Sequence, residues 1–216
     1  MKKNVYSLVL SEEIVDAIDR LSYRNGTNRS AMINRILAEY VSYTTPSMHR
    51  AQIFGSIEAA LTTDAVKHVK TSDTFFVLAS SINFKYNPTV RYSVELHLKE
   101  DCLGVFKASM RTQNTALIAL MADFCLLWHR LEEGVLGGVS DTIEPARYSR
   151  AFVLRKNNTV SNILSAEEVG ALIAEYIRAF DTAIKEYFRL IYSPSLAKRA
   201  VENVYGQYIH RTTQII

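Results

Sequence analysis

Cysteine is scarce. Cys102 and Cys125 are the only two in 216 residues, too few for a disulfide framework, so a packed core has to supply the stability. Cys125 falls inside the apolar run 117–131 and reads as a small buried side chain. Proline, with 4 residues, and glycine, with 8, are also sparse. That excludes collagen-like and low-complexity chains, and no internal repeat is visible. No stretch of membrane-spanning length runs without polar interruption. Met1-Lys2-Lys3 leads into alternation and not into an apolar block, so a signal peptide is not expected and the chain reads as cytoplasmic. Neither sign of charge dominates: 25 Lys and Arg stand against 22 Asp and Glu, a net of +3. Enzyme signatures are missing too. There is no Gly-rich phosphate loop, no Gly-x-Ser-x-Gly elbow and no His-Glu-x-x-His, and no cofactor or catalytic residue is expected.

What is present begins at the N-terminus. Lys2 to Ser11 alternates with the period of a short strand. Tyr6, Leu8 and Leu10 fall on one side and Lys3, Val5, Ser7 and Val9 on the other. Ser11 suits a helix N-cap, with Glu12 and Glu13 where the helix dipole favours anions. Ile14, Ile18 and Leu21, with Val15 and Ala17, recur at helical spacing. Asn25-Gly26 is a helix stop. Asn28 caps a second helix whose apolar stripe is Met32, Ile33, Ile36, Leu37, Tyr40 and Val41. One strand and two helices bury too little to fold alone, and pairing with a second copy is the simplest remedy.

This order of elements, with the string Gly26-Thr27-Asn28-Arg29-Ser30-Ala31-Met32-Ile33, resembles the ribbon-helix-helix family of repressors, the Arc and MetJ type, over Lys2 to about Tyr43. The resemblance implies two strands paired across a dimer axis and laid in the DNA major groove. It places Lys3, Val5, Ser7 and Val9 toward the bases. It places Asn28, Arg29 and Ser30, with Lys2, at the phosphates. Outward valines are a departure from the usual pattern. They touch a thymine methyl but make no hydrogen bond to a base edge, which shifts specificity to Lys3, Ser7 and DNA shape. The first 44 residues hold six basic and five acidic side chains, so any grip on DNA comes from placed groups and not from bulk charge.

Thr44-Thr45-Pro46 reads as the junction between a 1–44 DNA-binding and dimerisation domain and a 46–216 domain for oligomerisation, effector or partner binding. In the second, 47 to about 69 reads as a helix. Phe75 to Ala79 is a strand candidate. Asn87-Pro88-Thr89 is a turn. Tyr92, Val94, Leu96 and Leu98 alternate against Arg91, Ser93, Glu95 and His97, and 103–111 returns as a third strand. Asn114 to Glu132 is an apolar helix, ended by Gly134, Gly137 and Gly138. Residues 148–154 are ambiguous between strand and loop. Ser165-Ala166-Glu167-Glu168 is a capping box for a long helix to about Tyr192, and Ser193-Pro194 starts the last, to about His210. The expected class is α+β: an N-terminal strand-helix-helix, then a mostly helical domain with a three-stranded antiparallel meander.

Other chemistry is weighed on this frame. Glu95, His97 and Cys102 invite a metal, but a His-x-His pair is missing and His49, His68, His129 and His210 are scattered, so no metal site is expected. Arg91, Glu95, His97, Lys107, Ser109 and Arg111 share the open sheet face, which suits solvent or an anion. Asp123 and His129 are six apart on one helix and do not face each other. Tyr176, Tyr187, Tyr192, Tyr205 and Tyr208 suit core or interface. The expectation is a sequence-specific DNA-binding transcriptional regulator, a repressor, acting as a homodimer or higher even oligomer on double-stranded DNA. A small-molecule or protein effector would act on its second domain, and no membrane is involved. The alternatives are a plasmid partition, conjugation or antitoxin-type DNA-binding accessory protein, and a dimeric protein-interaction scaffold that ignores DNA.

Overall fold

The computed structural model describes residues 6–41, 43–61, 66–85, 87–99, 102–153 and 164–212. The chain divides into two compact units, 1–48 and 49–216.

The first unit is a pair of helices, α1 (Glu12–Arg24) and α2 (Arg29–Tyr40). Glu12 and Glu13 stand in the first turn of α1, where the partial positive charge of the helix end favours carboxylates. Gly26 takes a left-handed φ of 58° and turns the chain. The Asn28 side chain then accepts from the Ala31 amide and caps α2. The expected leading strand is not found. Residues 6–11 precede α1 without secondary structure, and 1–5 lie outside the described residues. A strand exists only through ladder hydrogen bonds to a neighbouring strand, and residues 6–11 join no ladder among the described residues. The described order is helix-helix, which corrects the strand-helix-helix expectation.

The second unit is α+β, as expected, but its sheet is twice as large. Six antiparallel strands run in the order β1-β2-β3-β4-β6-β5. They are β1 (Val66–Thr71), β2 (Phe75–Ser81), β3 (Thr89–Leu96), β4 (Gly104–Met110), β5 (Asp141–Glu144) and β6 (Arg147–Phe152). The three-stranded meander is therefore only β2 to β4. The helix expected over 47–69 is α3 (Pro46–Leu61), after which the chain is β1 from Val66. The ambiguous segment 148–154 is β6 up to Phe152, and Leu154 lies outside the described residues. These strands escape a search for alternation because β1 is exposed at every position after Val66, and β6 carries Arg150 on its buried side.

Helices α4 (Thr115–Leu136), α5 (Ala166–Arg189) and α6 (Pro194–Arg211) complete the unit. Alternation works well where the sheet is central: Val90, Tyr92, Val94 and Leu96 of β3 are buried. Phe106 of β4 packs edge-on to Tyr176 and Phe180 of α5, at 5.1 and 5.2 Å between ring centres. Phe54 of α3 stacks on Phe76 of β2 at 5.7 Å. α5 is started by the full Ser165–Glu168 capping box. It approaches α3 so closely that a Cβ on Gly170 would meet Ser56 Cβ at 2.5 Å. The opposite sheet face carries Ala79, Arg91, Ser93, Glu95, Lys107, Ser109, Arg147 and Ser149, none of them buried, and is open.

Candidate functional site

The helix pair leaves most of its apolar surface uncovered. Among the large apolar side chains of α1 and α2 only Ile18 and Met32 are buried, whereas Ile14, Leu21, Ile36, Leu37 and Tyr40 are exposed. Two helices make one seam, so an apolar stripe wider than that seam faces solvent. The leading segment adds Tyr6, Leu8, Val9 and Leu10, all exposed.

The residues expected to meet DNA fare unequally. Lys2, Lys3 and Val5 lie outside the described residues. Ser7 and Val9 are exposed and belong to no strand. Asn28 spends its side-chain oxygen on the α2 cap at 2.9 Å from the Ala31 nitrogen. Ser30 is exposed. Arg29 is held by Asp19 of α1: its Nε donates to Oδ1 at 2.7 Å and its Nη2 donates to Oδ2. That hydrogen bond from Arg29 lowers the Asp19 carboxyl below its ordinary pKa. The arginine expected at a phosphate thus sits at the start of α2 but is engaged by a carboxylate.

In the second unit three strands bring a basic row together on the open face. Arg91 of β3 is the cross-strand partner of Ser109 on β4, and Ser109 is the partner of Arg147 on β6. These three, with Arg111, Thr112, Ile118, Glu144, Pro145 and Ala146 among others, line a cavity of about 540 Å³. Arg147 donates to Glu144 across the β5–β6 turn at 3.3 Å. Arg147 and Glu144 carry no site signal in the sequence, because β5 has only 4 residues and β6 places Arg150 on its buried side. Arg91, Ser109 and Arg111 are three of the residues expected on the open sheet face. Lys107 and Glu95, from that list, pair with each other at 3.3 Å.

The metal candidates do not converge. Glu95 is paired with Lys107, and the Cys102 thiol donates to the Gly104 carbonyl at 3.3 Å. No group of three His, Cys, Asp or Glu among the described residues is placed to hold a metal ion. His129 does find carboxylates, but not Asp123. Its Nδ1 lies 2.6 Å from Asp141 of β5 and its Nε2 lies 3.3 Å from Glu133, which ties α4 to the edge of the sheet.

A second polar cluster lies inside the core. Glu132 of α4 and Arg150 of β6 are 1% and 3% exposed, and Arg150 Nε is 3.2 Å from Glu132 Oε1. Tyr148 donates to the other carboxylate oxygen at 2.5 Å. The Arg150 guanidinium stands 4.8 Å from the ring centre of Tyr176, whose hydroxyl accepts from Trp128 Nε1 at 3.1 Å. Burial pushes the Glu132 carboxyl up, against the pull of Arg150 and Tyr148. So sealed a cluster meets no solute, and it acts by holding α4, β6 and α5 in register.

Comparison of the chain with protein-family models, with curated proteins and with solved structures gives no match.

Proposed function

We propose that the chain is a homodimeric DNA-binding regulator whose N-terminal helix pair joins that of a second copy and lays its leading segment and the start of α2 against a duplex. The observation that carries the reading is the uncovered apolar surface of the helix pair. Burying a large apolar side chain is worth roughly 1.5–3 kcal/mol. These side chains are 37–60% exposed and not fully so, so covering five of Leu8, Leu10, Ile14, Leu21, Ile36 and Leu37 recovers about half of that each, roughly 4–8 kcal/mol, which reaches the lower part of an association cost of about 4–15 kcal/mol. A second copy is the occupant that fits, because the surface is apolar on both helices and on the segment before them, as a self-complementary two-fold interface requires.

DNA is the partner argued from the start of α2. A helix N-terminus offers free amides and a partial positive charge to a phosphate, and Arg29 and Ser30 stand at that end. The Arg29–Asp19 pair favours a second reading, a dimeric scaffold that binds protein and not DNA, since the pair already satisfies the cation.

Two measurements on the full chain separate these. Sedimentation should give a dimer, and Leu37→Glu should shift it to monomer; a wild-type monomer at high concentration overturns the reading. Selection from a random DNA pool should enrich a two-fold-related site whose affinity falls steeply with salt. A dimer that retains no duplex even at low salt leaves the scaffold.

A further inference from the structure

The geometry points to a site for a small phosphate monoester in the cavity under the β5–β6 turn, its phosphate held by Arg91, Arg111 and Arg147 around the Ser109 hydroxyl. Neighbouring strands lie about 4.8 Å apart. Arg91 and Arg147 flank Ser109 on the two adjacent strands, so their Cα atoms stand roughly 10 Å apart. Both side chains line the cavity that Ser109 also lines. Arg111 directly follows β4, two residues beyond Ser109, and lines the same cavity.

Charge and size narrow the ligand. Three guanidinium groups against Glu144 leave a local charge of +2. A phosphate monoester at neutral pH carries about −1.5 to −2. Arginine also presents a planar fork that matches phosphate oxygens two at a time. Arg91 and Arg111 have no hydrogen-bond or ion-pair partner among the described residues. Lys107, on the same face, is already neutralised by Glu95. The cavity of about 540 Å³ falls within the roughly 300–1,000 Å³ of small-molecule sites. Ile118 and Pro145 on its wall offer an apolar surface to the organic body of the ligand.

The turn that shapes the site is held in place. Ala146 adopts a left-handed φ of 57°, and its carbonyl accepts from the Met110 amide at 2.9 Å. That bond fixes the hairpin end, and with it Arg147, against β4.

Calorimetric titration of the full chain with adenosine 5′-monophosphate, inorganic phosphate, adenosine and a duplex lacking terminal phosphates tests this. The monophosphate should bind with a dissociation constant below roughly 1 mM, phosphate more weakly, and adenosine not at all. Arg91→Gln and Arg111→Gln should each weaken the monophosphate about ten-fold or more, as expected for losing one charge-assisted contact. Lys70→Gln, on the same face but outside the cavity, should change nothing. Both arginines are exposed, so the variants should keep the wild-type circular dichroism. No heat with either phosphate probe, unchanged affinity in both arginine variants, or equal competition by the duplex for the same site would each overturn the assignment. The result is independent of the N-terminal unit, because a chain that binds no DNA can still give it.

Discussion

Glu132 and Arg150 carry the largest single-residue stakes in the core. Two charges taken out of water stabilise little as a pair, but one left without the other is costly. Glu132→Ala should therefore cost about 3–5 kcal/mol in urea unfolding, whereas Tyr148→Phe, which removes one hydrogen bond to the carboxylate, should cost about 1.5–3 kcal/mol. Equal small losses in both would show that the carboxylate is hydrated. Cys125 makes a second, pH-dependent prediction. Burial pushes its thiol from an ordinary value of 9.0 up to about 12. A group that holds its proton more tightly when folded stabilises fully below the unfolded pKa and loses that contribution as pH rises through the folded one. Between pH 9 and 12 the wild type should lose about 1.4 kcal/mol per pH unit relative to Cys125→Ala, read as the difference between two urea curves at each pH. The burial of Cys125 is legible in the apolar run around it, whereas that of Glu132 and Arg150 is not. A charged residue in an apolar helix or strand looks like its solvent-facing residue until the partner across the core is known.

At the level of elements, the approach of α5 to α3 depends on Gly170. A methyl there would sit 2.5 Å from Ser56 Cβ and 2.9 Å from the Ile53 carbonyl, and a helix cannot give way at a backbone oxygen without shifting whole. Gly170→Ala gains helix propensity yet should destabilise by about 1–3 kcal/mol by overpacking, measured as a lower urea midpoint; Ser56→Gly in the same chain should restore part of it. Elements such as α5 were readable because periodicity, capping box and length agree at one place. β3 and β4 were readable because they lie inside the sheet and bury one face only. β1 and β5 were not. Edge strands bury little, so they leave no alternation to find, and β5 has only 4 residues. Half of the arginine cavity goes with them: Arg91 lies on β3 and Arg111 directly follows β4, while Arg147 and Glu144 belong to the β5–β6 hairpin. The leading segment shows the opposite error. Alternation at Tyr6, Leu8 and Leu10 reports side chains suited to a sheet, but a strand also needs a neighbour, and residues 6–11 pair with none among the described residues.

For the molecule as a whole, the question is whether the start of α2 faces a polyanion. Asp19 answers it more sharply than Arg29 does. If a phosphate docks there, Arg29 has to leave Asp19, and the carboxylate then repels the duplex. Asp19→Asn should therefore tighten DNA binding, about two- to ten-fold near 50 mM salt, with the gain shrinking as added ions screen the carboxylate. Arg29→Ala should weaken all sequences alike and lower the slope of log affinity against log salt by about one, the signature of one lost phosphate contact. Both side chains are exposed, so neither change should disturb the fold, and dimer mass checks that. Opposite signs for the two variants are specific to a phosphate at this position. A scaffold that uses the pair only to brace α1 against α2 would respond to both alike, with weaker bracing and no DNA binding in either variant.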